Sequence, residues 1–159
     1  MENVVCPRFP PVFPQVELAQ EERRMCHYHL IPNRRRGKRI VMINEADLAE
    51  LKSAVLTGVT VGVGSQVLIF GSGATVIVQC PFLCESLGWE QWGHGEKVYT
   101  STLFFDFFNH RVEEASLEEG EVLVLKFEGV KILKIVPERN GLESYVVTTR
   151  FGICPVAII

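Results

Sequence analysis

Downstream of residue 42 the apolar residues repeat with two different periods. Asn44 followed by Glu45, Ala46 and Asp47 places a capping side chain and two acids where a helix N-terminus favours them. Leu48, Leu51 and Val55 then fall on one face, which predicts a helix over 45–56 with Thr57-Gly58 as its stop. Alternation takes over next and predicts strands at 59–63, 66–70 and 74–80, divided by Gly64-Ser65 and Gly71-Ser72-Gly73, a β-meander. The pattern lapses over 81–97, and residues 101–109 (STLFFDFFN) are apolar almost all round, as in a short buried helix. There Phe104, Phe105, Phe107 and Phe108 are expected to cover a sheet face. Strands return at 112–116, 121–128, 130–136 and 144–150, with a last one at 155–159. Glu119-Gly120 and Glu128-Gly129 suit tight turns, and Asn140-Gly141 is the strongest hairpin signal of all, because both residues tolerate the left-handed conformation. The expected fold is α+β: a mainly antiparallel β-sheet of about six to eight strands with two packed helices.

Charge sharpens where the folded domain begins. The 159 residues carry 16 Lys+Arg and 19 Asp+Glu, a net charge of -3. Residues 1–41 hold eight basic and four acidic groups (+4), whereas 42–159 hold eight basic and fifteen acidic (-7). The N-terminal stretch also has four early prolines and the run Arg34-Arg35-Arg36-Gly37-Lys38-Arg39, without a sustained period. We expect residues 1–41 to be an N-terminal extension, flexible or not natively translated, with Met42 as an alternative start and 42–159 as a single α+β domain. The basic run lacks an aromatic platform or a recognition helix, so no nucleic-acid partner is expected.

An uncharged run over 53–84 is long enough for a membrane-spanning helix. Its Val, Thr and Gly content and its internal turn favour strands, so no membrane association is expected. Five cysteines at irregular spacing do not make a disulfide framework, and MENVVCPRFPPVFP lacks the charged start and continuous apolar core of a secretory leader, so a cytoplasmic location is expected.

The search for chemistry returns mostly absences. Gly62-Val63-Gly64 and Gly71-Ser72-Gly73 lack both the third glycine and the following helix of a phosphate loop. Cys80 and Cys84, with His94, give three potential zinc ligands where a structural site takes four, so no metal or other cofactor is expected. No local signature links a cysteine to His94 or His110 as nucleophile and base, and the protein is not expected to be an enzyme. Trp89 and Trp92 sit among Glu90, Gln91, Gly93, His94 and Gly95 in the least regular connection. They read either as a recognition surface, where Trp is enriched, or as indoles capping the sheet edge. Glu113, Glu114, Glu118, Glu119 and Glu121 read either as a solvated surface or as contacts for a cationic partner.

The succession Leu123 through Gly129, the strand 132–136, Pro137-Glu138 and Glu143-Ser144-Tyr145, preceded by Leu56-Thr57-Gly58-Val59 and the Phe104 region, resembles small bacterial α+β domains of unknown function. Some of those are similar to immunity proteins of polymorphic toxin systems. The resemblance spans about residues 55–150. It implies a cytoplasmic, non-catalytic binding protein that occludes a basic partner, such as a cationic toxin, through an acidic face. The candidate contacts are Trp89, Trp92, Glu113, Glu114, Glu118, Glu119 and Glu121. The alternatives are a self-associating β-domain, a homo-oligomer paired through an edge strand such as 156–159, and, behind it, an enzyme without a recognisable motif.

Overall fold

The computed structural model describes residues 43–158; the extension 1–41, the Met42 boundary and the basic run lie outside them. One α-helix, α1 (Glu45–Leu51), precedes the strands β1 (Leu56–Gly62), β2 (Ser65–Phe70), β3 (Thr75–Val78), β4 (Pro81–Ser86) and β5 (Trp89–His94). A 3₁₀ helix (Val98–Phe107) leads to β6 (Val112–Glu118), β7 (Val122–Phe127), β8 (Lys131–Ile135), β9 (Glu143–Thr149) and β10 (Gly152–Ala157). All strand pairs are antiparallel. They form two five-stranded sheets, ordered β1-β2-β3-β9-β10 and β5-β4-β8-β7-β6.

Period-2 alternation explains how the sheets meet. Leu68, Phe70, Val76, Val78, Tyr145 and Val147 face inward from the first sheet, and Phe82, Cys84, Leu123, Leu125, Phe127, Leu133 and Ile135 face them from the second. The two sets form one buried core. Phe82 stacks on Phe104 of the 3₁₀ helix at 4.4 Å between ring centroids, and Phe107 meets Phe127 edge-on at 5.1 Å. Two polar links cross the core. The Tyr145 hydroxyl donates to the Glu121 carbonyl at 2.7 Å, and burial pushes its pKa up. Gln66, fully buried, donates through Nε2 to the carbonyls of Lys97 (2.9 Å) and His94 (3.2 Å), joining β2 to the start of the 3₁₀ helix.

Several expectations are corrected. Among the described residues there are ten strands in two sheets, not six to eight in one, although the broad α+β class stands. The irregular connection over 81–97 is largely the β4–β5 hairpin. An edge strand as exposed as β5 has no apolar alternation to betray it. Helix α1 ends at Leu51 rather than near residue 56, because Ser53 turns to φ 68 and residues 53–56 bond to 109–112 instead. Within the 3₁₀ helix only Phe104 and Phe107 are fully buried; Phe105 is 53% exposed and Phe108 partly buried. Asn140-Gly141 forms a turn, with Gly141 at φ 74 and the Asn140 side chain accepting the Leu142 N–H at 2.9 Å. That turn is no hairpin, because it carries the chain from β8 in one sheet to β9 in the other. The uncharged run 53–84 forms β1 to β3 and most of β4, and no helix among the described residues is long and apolar enough to cross a membrane.

The helix is tied to the first sheet through two of its acids, Asp47 and Glu50. Asn44 Oδ1 accepts from the N–H groups of Ala46 and Asp47, while Asp47 Oδ2 accepts the Asn44 N–H at 3.1 Å, a reciprocal capping box. Asp47 Oδ1 also accepts the Thr149 hydroxyl at 2.6 Å, and Glu50 accepts the Arg150 N–H at 3.0 Å, so α1 is fastened to the β9–β10 turn. Burial opposes ionisation of Asp47, but the hydrogen bonds from Thr149, Asn44 and Cys154 outweigh it and hold the pKa below the ordinary carboxylate range. Its contribution is therefore present above an unfolded pKa of about 3.9 and is lost as pH falls through the lower folded value. Asp47→Ala should destabilise the fold by about 2–3 kcal/mol at neutral pH in urea unfolding, and the gap from wild type should shrink on acidification. A gap that stays constant below pH about 4 would contradict this assignment.

Candidate functional site

Residues directly opposite in an antiparallel pair point to the same side, so register alone assigns each sheet its outward surface. On the second sheet, one row runs Trp92, Leu83, Lys134, Val124 and Ser116. The row beside it runs Glu90, Glu85, Ile132, Lys126 and Glu114. Glu118, opposite Val122, points the same way near the other end of β6. This surface is therefore laced with charge. Lys134 pairs with Glu85 at 2.7 Å and Lys126 with Glu114 at 2.8 Å. The hydrogen bond from Lys126 lowers the Glu114 pKa, and that to Glu85 raises the Lys134 pKa. Among the described residues, Glu90, Glu113, Glu118, Glu119 and Glu121 have no cationic group within 4.0 Å.

The seven candidate contact residues do not form one cluster. Trp89 and Trp92 lie on β5 at one edge of the second sheet, whereas Glu113, Glu114 and Glu118 lie on β6 at the other, with three strands between. Glu119 and Glu121 stand in the β6–β7 turn, where Gly120 and Glu121 both hold positive φ. Trp92 is 55% exposed on the charged outward surface. Trp89 pairs with Ser86, faces inward and packs partly buried against the core. Both tryptophans keep accessible area, Trp92 on the charged outward surface and Trp89, partly buried, at the end of the sheet beside the β4–β5 turn.

The glycines around the tryptophans serve packing. Gly93 lies opposite Phe82, and a Cβ there would come within 2.2 Å of the Phe82 ring. At Gly95 a Cβ would come within 2.1 Å of the Val78 carbonyl oxygen. Neither glycine leaves room for a side chain.

A shallow cleft of about 380 Å³, not foreseen from the sequence, opens at one end of this sheet, between the β4–β5 hairpin and the β7–β8 turn. Glu85, Leu87, Trp89, Glu90, Val130 and Ile132 line it. Leu87 and Val130 are 80% and 70% exposed at the two turn tips. Val130 holds φ 60, a conformation costly for a β-branched residue. The lining joins residues whose turn chemistry is legible but whose proximity depends on β4 pairing with β8.

The first sheet presents a different outward surface. Its rows run Thr60, Val67, Ile77, Val146 and Pro155, then Gly58, Ile69, Thr75, Thr148 and Ile153. Neither row contains a charge.

Among the described residues, the candidate nucleophiles, bases and metal ligands are not brought together. Cys80 and Cys84 are buried, and burial pushes both thiols up to about 12. Four residues apart along extended chain, they stand about 13 Å apart. His94 Nδ1 accepts the Glu96 N–H, and its Nε2 lies 3.9 Å from Glu138, while His110 Nδ1 contacts the Phe108 carbonyl. Among the described residues, no group of three or more His, Cys, Asp or Glu could hold a metal ion. Burial and the neighbouring Asp47 also raise the Cys154 pKa. Native protein treated with iodoacetamide at pH about 8 should therefore leave Cys80, Cys84 and Cys154 unmodified by peptide mass spectrometry, with all three reacting after denaturation. Rapid native alkylation of Cys80 or Cys84 would contradict the buried placement.

Comparison with known proteins returned no matching family model, no matching curated protein and no matching solved structure.

Proposed function

We propose that this chain is a non-catalytic binding protein that covers a basic surface of another protein, using the outward surface of the second sheet and the β6–β7 hairpin. The observation that carries the reading is the placement of Trp92, an exposed indole, on the same surface as Glu90, Glu114 and Glu118. Glu119 and Glu121 extend that acidic surface from the hairpin tip. An exposed indole on a surface that also carries unpaired carboxylates suits a partner rich in Arg or Lys, because indole faces attract cations and unpaired carboxylates steer them during encounter. The cleft between Glu85, Glu90 and Val130 adds a recess at the end of the same surface.

An immunity-type inhibitor of a cationic toxin in the bacterial cytoplasm is the specific form of this proposal. On this reading Trp89 is a support for the β4–β5 hairpin, and Glu114 is held partly in reserve by Lys126.

The test is affinity capture from the native host at low salt, with the tagged full chain as bait. A specific basic protein should be retained, released by raising salt, and bound at least about tenfold more weakly by Trp92→Ala and by the triple variant Glu118→Gln, Glu119→Gln, Glu121→Gln. A protein that emerges alone, or a partner indifferent to both variants and to salt, would overturn the proposal.

A further inference from the structure

We infer that the cleft between the β4–β5 and β7–β8 turns is the seat of a single arginine side chain of the basic partner. The inference rests on the function proposed above and assigns the kind of residue that anchors that partner. The walls of the cleft are apolar. Leu87 and Val130 stand at the tips of two different hairpins, 80% and 70% exposed, and Ile132 and Trp89 complete the lining. Neither tip residue belongs to the buried core, and Val130 remains β-branched at φ 60, where glycine would be the less costly residue. The charged residues of the lining, Glu85 and Glu90, are both acids. At about 380 Å³ the cleft lies at the small end of ligand recesses, which suits one side chain better than a whole cofactor.

Charge complementarity identifies the occupant. Glu85 and Glu90 are direct partners across the β4–β5 ladder, a like-charge pair whose Cβ atoms stand about 5 Å apart and whose carboxylates repel. Lys134 answers one of them, at 2.7 Å from Glu85, whereas Glu90 has no cationic group within 4.0 Å among the described residues. Lys131, next to Val130, is turned to the opposite side of the sheet, where its Nζ donates to the Asp106 carbonyl. Two carboxylates with one lysine leave the recess a cation short. An apolar occupant would strip water from these carboxylates without replacing it, and an anion would be repelled. Arginine suits both halves of the lining. Its methylenes cover Leu87, Val130 and Ile132, and its guanidinium has enough N–H donors to meet Glu90 and the second oxygen of Glu85 together. Lysine brings only a point charge to acceptors on two strands.

NMR titration of the labelled full chain with a blocked single arginine, Nα-acetyl-arginine amide, tests this. The backbone signals of Leu87, Gly88, Glu90 and Val130 and the Trp89 indole N–H should shift together and saturate with roughly millimolar affinity. The neutral citrulline amide, of nearly the same shape, should bind at least about tenfold more weakly, and the lysine amide at least about threefold. Glu90→Gln should melt like wild type and bind arginine at least about fivefold more weakly. Val130→Gly, which suits the left-handed backbone, should melt no lower than wild type and still weaken arginine by removing one wall. Citrulline or lysine binding as tightly as arginine, either variant binding like wild type, or shifts that do not gather at the cleft would overturn the inference. None of these measurements involves the captured partner, Trp92 or the β6–β7 turn, so this inference and the proposed function fail separately.

Discussion

The packing of Phe82 is the contact on which most of the architecture depends. From β4 its ring lies over the bare backbone of Gly93 on β5 and stacks on Phe104 of the 3₁₀ helix. The edge hairpin, the helix that follows it and the inward side of the second sheet therefore meet at one aromatic ring. Gln66 secures the same region from the first sheet by gripping the carbonyls of His94 and Lys97. Closing the core in this way fixes which side of each sheet is left to face outward.

The outward sides then diverge chemically. On the second sheet, two lysines stand among glutamates of neighbouring strands, two pairs at salt-bridge distance and several acids unpaired among the described residues. Exposed pairs of this kind contribute little to stability, on the order of 0–1 kcal/mol each. Under the proposed function their placement serves recognition. The first sheet offers Val, Ile and Thr, which suit a pleated surface and carry no charge.

Local signals in the sequence were legible where they rested on turn or cap chemistry. Asn44 caps α1, Gly71-Ser72-Gly73 closes β2 on β3, and Glu119-Gly120 and Glu128-Gly129 each close a hairpin. Pairing was not legible. Asn140-Gly141 has the chemistry of a turn, but nothing local dictates that the next strand joins the other sheet. Likewise β5 hid because an exposed edge strand lacks alternation, and Gly93 looked like a loop glycine when it makes room for Phe82. The candidate contacts were chosen by residue type, so their division between two edges, and the inward turn of Trp89, required the register.

Chemical two-sidedness is the centre of this account, and residue-resolved NMR of the labelled full chain titrated with an oligoarginine peptide tests it most directly. Shifts should gather at Trp92, Glu90, Glu118 and the Glu119 to Glu121 turn, and the signals of Val67, Ile69 and Ile77 should stay still. Shifts spread evenly over both sheets, or centred on the first, would contradict it.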